Sequence, residues 1–159
     1  MDREILVGGE KRVRPVRVLI VEDNAPFRRI ICSTLEKRPE LQIVCEVSDG
    51  LEAVQKAEKL QPDLILLDIE LPTLNGIDAA RQIRKLAPDS KIIFLTQESS
   101  ADVVREALSL GAWGYVLKVR AGVELLAAVE AVMLGKQFVS STQANHKPIL
   151  PFEPSPQDC

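Results

Sequence analysis

Aromatic side chains are scarce in this chain: one Trp, one Tyr and four Phe among 159 residues. Apolar residues still make up 46% of the sequence, so the core has to be assembled from Leu, Ile, Val and Ala. Such an aliphatic bias suits an α/β protein with a parallel sheet, whose strands are covered on both faces. A basic excess is also missing. The net charge is -3, with acids and bases interspersed, and this disfavours nucleic acid or an acidic membrane surface as a partner. Cysteine is limited to three irregularly spaced residues, which build neither a disulfide framework nor a zinc site. Cys32 and Cys45 lie in apolar segments and are expected as core thiols, with Cys159 a free terminal thiol. No apolar run is long enough to span a bilayer, and residues 1–14 are too charged for a signal peptide. A cytoplasmic location is the expectation.

The chain has the length of one domain and no internal repeat. Strand-like and helix-like segments alternate from Val16 to Leu134. Strands are predicted over residues 16–21, 41–47, 63–67, 91–95 and 113–117, and helices over 26–38, 51–60, 77–86, 101–110 and 121–134. The boundaries carry turn chemistry, including Asp49-Gly50, Asn75-Gly76, Gly111 and Gly135. Three regions follow: a flexible extension over 1–15, a domain over 16–135, and a flexible tail over 136–159 marked by Pro148, Pro151, Pro154 and Pro156.

Five strands alternating with five helices predict a doubly wound sheet, and ligands collect beyond the carboxyl ends of such strands. Glu22, Asp23, Asp68, Thr96 and Lys118 each fall at or just past a strand end and should converge there. Three crowded carboxylates call for a cation, and Mg²⁺ wants hard oxygen ligands while keeping several waters. Asp23 and Asp68 are the candidate direct ligands, Glu22 a ligand through water, and Glu70 a source of a backbone carbonyl oxygen. Asp68 is the candidate nucleophile toward phosphorus, with Lys118 as counter-charge and Thr96 as hydroxyl donor. Taken singly, any of the acids could be a helix cap or a solvated loop residue. Thr96 could equally cap the following helix, and Lys118 could be an ordinary surface lysine.

The motifs VLIVEDN (18–24), PDLILLDIELP (62–72), NG (75–76), IFLT (93–96) and GAWGYVLK (111–118) stand in order and at the right spacing. On them the sequence resembles the receiver domains of two-component response regulators, from Arg17 to Gly135. The resemblance implies a flavodoxin-like (βα)5 fold with strand order 2-1-3-4-5. It implies Asp68 as phosphoacceptor, Glu22 and Asp23 as the metal pair, Thr96 and Lys118 as switch residues, and Tyr115 at the aromatic switch position. It further implies Mg²⁺ as cofactor and a sensor histidine kinase or phosphotransfer protein as partner. The only chemistry catalysed would be the domain's own phosphotransfer and dephosphorylation.

GAWGYVLK and the ending GKQFVSS (135–141) are similar to the subgroup that usually carries a C-terminal helix-turn-helix. That module needs at least two amphipathic helices, which the proline-marked tail lacks, so no direct nucleic-acid binding is expected. Two positions depart from the family pattern. Gln97 replaces a small residue beside the phosphoryl site, and Val119 follows Lys118 where proline is frequent, so a cis bond is not expected.

Other readings are weaker. A haloacid-dehalogenase-type phosphatase needs an Asp two residues after its nucleophile, where this chain has Glu70, and room for a cap domain. In a flavodoxin-like electron carrier the acids would repel a flavin phosphate. A pseudo-receiver, an interaction module that takes no phosphate, differs only in chemistry. Residues 121–134 carry only Glu124 and Glu130 as charges. Leu125, Val129, Val132 and Met133 suffice for a core stripe, which leaves Ala127, Ala131 and Leu134 toward solvent as a homodimer surface.

Overall fold

In a computed structural model, residues 4–7 and 10–140 are described. The elements in chain order are β1 (Glu4–Val7), β2 (Glu10–Val13), β3 (Val16–Val21), α1 (Ala25–Leu35), β4 (Leu41–Val47), α2 (Gly50–Leu60) and β5 (Leu64–Asp68). They continue with α3 (Gly76–Leu86), β6 (Lys91–Thr96), α4 (Ala101–Ser109), β7 (Gly114–Leu117), α5 (Ala121–Met133) and β8 (Phe138–Val139). A 3-10 turn, Lys118–Arg120, joins β7 to α5.

Side-chain alternation along the strands explains the layers. Val18, Ile20, Leu64, Leu66, Ile93, Leu95 and Val116 face one side, where Ile31 and Leu35 of α1 and Leu125, Val129 and Val132 of α5 cover them. The intervening Leu19, Val21, Ile65, Leu67, Ile92 and Phe94 face the other side, under α2, α3 and α4. β5 is buried at every position, as its unbroken run LILLD requires at the centre of a parallel sheet. Helices α1 to α4 each begin on a side-chain cap: Asn24, Asp49, Asn75 and Ser100 accept from the N–H of Phe27, Glu52, Asp78 and Val103. Thr96 is therefore not the cap of α4.

The large sheet is parallel, in the order β4-β3-β5-β6-β7-β8. The expected flavodoxin-like order of five is present, with a sixth strand added. β8 lies in the segment expected as the start of a flexible tail. It forms because the outer edge of β7 has backbone groups to satisfy. Gly135, at φ +85°, turns the chain, and Phe138 and Ser140 then donate N–H groups to Trp113 and Tyr115 at 3.0 and 2.8 Å. The Ser140 hydroxyl, itself buried, accepts the N–H of Leu117. The extension over 1–15 also departs from expectation: β1 and β2 pair antiparallel, Glu4 opposite Val13 and Val7 opposite Glu10. Residues 141–159, with the tail prolines and Cys159, lie outside the described residues. Cys32 and Cys45 are half-buried at the margins of the two cores rather than inside them. Burial raises the Cys32 thiol to about 11, with Glu46 adding to the effect.

Backbone contact fixes the loop that follows β5. A Cβ on Gly76 would stand 2.1 Å from the Asp68 carbonyl oxygen, and one on Gly50 would stand 1.7 Å from that of Leu74. Only glycine lets these segments approach so closely. Gly76→Ala should therefore destabilise the fold by about 2 kcal/mol or more, because backbone rather than a side-chain tip has to move. Urea unfolding checks this; an unchanged midpoint would show that the loop yields freely.

Candidate functional site

The carboxyl ends of four adjacent strands bring the sequence candidates together. Glu22 and Asp23 follow β3, Asp68 closes β5, Thr96 closes β6, and Lys118 follows β7. One carboxylate oxygen from each of Glu22, Asp23 and Asp68 lies within 4.8 Å of the others. Glu22 and Asp68 are buried, whereas Asp23 is exposed at the mouth. The Lys118 ammonium lies between the two buried acids, 3.0 Å from Glu22 Oε2 and 3.1 Å from Asp68 Oδ2.

Backbone donors complete the arrangement. Asn24 N–H reaches Glu22 Oε2 at 3.1 Å and Glu70 N–H reaches Asp68 Oδ1 at 3.2 Å. The other oxygen of Glu22, Oε1, is buried with no hydrogen-bond partner among the described residues. Such an orphan is costly in a neutral cavity and suits a cation. A divalent metal fits this donor set, since carboxylates are hard ligands and Asp23 opens the cluster to water. Glu70 is placed by its N–H bond to Asp68, at the start of the loop that would supply its carbonyl.

Burial raises the Asp68 carboxyl from 3.8 to about 6, and the Glu22 charge adds to this; Lys118 pulls it back in part. For Lys118, burial works against the ammonium. The hydrogen bond to Glu22 and the charges of Asp68 and Glu22 outweigh it and hold the group above the usual lysine range.

Thr96 is fully buried, and its hydroxyl oxygen accepts the Glu98 N–H at 3.0 Å. Tyr115 is buried too. Its ring lies 6.4 Å from that of Phe94, and its hydroxyl donates to the Glu98 carbonyl at 2.6 Å. Gln97 and Val119 line a cleft of about 640 Å³ next to Lys118, with Pro26, Phe27 and Ile30 on its other wall. No cis peptide occurs among the described residues.

The model of the response regulator receiver domain family matches residues 18–130. The chain belongs to that family. Among its relatives, a protein-glutamate methylesterase/protein-glutamine glutaminase of Thermotoga maritima is 41% identical over 114 residues, 70% of this chain and 33% of that protein. The transcriptional regulatory protein LiaR of Bacillus subtilis is 35% identical over 129 residues, 81% of this chain and 61% of that protein. This receiver thus spans about a third to three fifths of these relatives. The crystal structure of the response regulator domain of Thermotoga maritima CheB is similar with a TM-score of 0.71 and 35% identity, over 76% of this chain and 98% of that one. Among the described residues no helix is long and apolar enough to cross a membrane.

Sequence reasoning missed three residues of this receiver's site. Asn24 caps α1 and also bonds Glu22. Arg28 donates to the Glu22 carbonyl at 2.6 Å. Phe27 sets its ring centroid 5.0 Å from Lys118 Nζ. Helical periodicity marks Phe27 only as an apolar position, and no local signal pairs it with a lysine so far along the chain.

The raised carboxyl has a stability consequence. Asp68 is harder to ionise folded than unfolded, so its contribution is intact below about pH 4 and declines as pH rises through about 6. Without metal, Asp68→Asn should match the parent near pH 4 and exceed it at pH 7–8 by roughly 1–3 kcal/mol. Chemical unfolding across this range in a chelator decides it. A pH-independent difference would mean that Asp68 ionises without strain.

Proposed function

We propose that this receiver is a phosphorylation switch in which Asp68 accepts a phosphoryl group from a sensor histidine kinase or phosphotransfer protein. The observation that carries the reading is the buried Asp68 carboxylate, with oxygens of Glu22 and Asp23 within 4.8 Å and the Lys118 ammonium at 3.1 Å. An Asp68 carboxylate oxygen attacks the phosphorus. The new O–P bond forms as the N–P bond of the donor histidine breaks, and the imidazole leaves with the electron pair and takes a proton. Lys118 exchanges its contact with Asp68 Oδ2 for a phosphoryl oxygen. The Thr96 oxygen already accepts from Glu98, which leaves its proton for a phosphoryl oxygen.

Asp23 and Asp68 through carboxylates, Glu22 through a water and Glu70 through its carbonyl would hold Mg²⁺. The bound ion would neutralise charge between the acids and the incoming phosphoryl group. Thr96 and Tyr115 would carry the switch, both tied to Glu98 at the start of the β6–α4 connection. The exposed apolar residues Pro26, Ile30 and Val119 beside Lys118 suit docking of a donor protein.

Acetyl phosphate with Mg²⁺ should phosphorylate the parent stoichiometrically by intact mass, as an acid-stable, hydroxylamine-labile adduct. Asp68→Asn and chelation should each abolish the adduct. A parent that takes up no phosphate from acetyl phosphate or a kinase would be a pseudo-receiver, and stoichiometric uptake by Asp68→Asn would move the acceptor elsewhere.

The proposal extends to a homodimer through α5. Val123 and Leu134 are 79% and 70% exposed, and Ala127 is exposed between them on a helix with few charges. Ala127→Glu with Leu134→Glu should leave the unfolding midpoint nearly unchanged and convert dimer to monomer in sedimentation. A parent that stays monomeric to near-millimolar concentration, phosphorylated or not, rules this out.

A further inference from the structure

We propose that Phe27 is a positioning residue whose ring face keeps the Lys118 ammonium on the Glu22–Asp68 pair during phosphoryl transfer, an inference that rests on Asp68 being the acceptor. The ring centroid lies 5.0 Å from Lys118 Nζ, within the range where an aromatic face attracts a cation. The Lys118 side chain is only 11% exposed, so that attraction acts with little competition from water.

Phe27 is held in register with the site from behind. Its N–H donates to Asn24 Oδ1 at 2.8 Å, and the Asn24 N–H donates to Glu22 Oε2 at 3.1 Å. That same Glu22 oxygen takes the Lys118 ammonium at 3.0 Å. Glu22, Asn24, Phe27 and Lys118 therefore form a closed circuit. The carboxylate that binds the ammonium and the ring that faces it are set by one short stretch between β3 and α1.

The device matters because Asp68 loses its negative carboxylate when the acyl phosphate forms. One of the two anchors of Lys118 then has to be replaced by a phosphoryl oxygen, and the lysine stem is flexible. The adjacent cleft, shared by Phe27, Lys118, Gln97, Leu117 and Val119, offers the ammonium a path to water. A hydrogen bond fixes one direction. The ring face is tolerant of a small shift, so it retains the ammonium while the acceptor changes. Ordinary packing would be served by any side chain of similar bulk; this role needs a π face.

Phe27→Leu should lower the rate of phosphorylation by acetyl phosphate at saturating Mg²⁺ about three- to tenfold, the range of a partly desolvated cation–aromatic contact. Mg²⁺ affinity and the unfolding midpoint should stay near parent values, and Phe27→Tyr should restore the rate. By NMR, the upfield ring-current shift of the Lys118 ε-methylene protons should be present in the parent and Phe27→Tyr and absent in Phe27→Leu. A parent-like rate in Phe27→Leu, or a Tyr variant as slow as the Leu variant, overturns the inference. Should the parent take no phosphate, the acceptor assignment fails, and the ε-proton shift alone decides the placement: a difference between parent and Phe27→Leu supports it, and none overturns it.

Discussion

The Lys118 ammonium donates to Glu22 at 3.0 Å and to Asp68 at 3.1 Å, and much of the rest of the structure is arranged around that charge balance. Two carboxylates packed at the end of a hydrophobic sheet repel each other and lose hydration. One ammonium offsets part of that cost; burial first and the Glu22 charge second still raise the Asp68 carboxyl, and Glu22 Oε1 has no hydrogen-bond partner among the described residues. A further cation, or a reaction that consumes one carboxylate, relieves what remains.

Holding Asp68 in place falls to backbone more than to side chains. Asp68 ends a strand buried at every position, and Gly76 packs so close to it that an added Cβ would collide with the Asp68 carbonyl. Between them the loop includes Thr73 in the left-handed region, at φ 64°. That conformation is uncommon for a side chain branched at Cβ and persists because its surroundings fix it. The N–H of Gly76 reaches back to the Ile69 carbonyl at 2.7 Å and closes the loop on itself.

The same close packing ties the carboxyl edge of the sheet to the outer strand. Ser140 joins β8 to β7 through the Leu117 N–H and bonds Glu124 of α5, which also takes the Arg120 guanidinium at 2.8 Å. Leu117 precedes Lys118, so the chain beyond α5 is anchored one residue from the ammonium. Tyr115, on the same strand, is turned inward, its hydroxyl on the Glu98 carbonyl.

The sequence alone determined the strand count of the central sheet up to β7, the helix positions to within a few residues, and the chemical types at each strand end. These are local properties: apolar periodicity, turn pairs such as Asp49-Gly50 and Asn75-Gly76, and stop glycines such as Gly111 act over a few residues. It did not mark the strands β1, β2 and β8 near the two ends. Phe138 and Val139 carry too short a pattern to be recognised, and they form a strand because β7 offers an open edge. The β1–β2 pair is likewise not marked by a strong alternation. Only tertiary structure decided that Tyr115 packs inward and that Phe27 faces Lys118. Each of those contacts depends on distances across separate elements, and periodicity along the chain holds no information about distance across it.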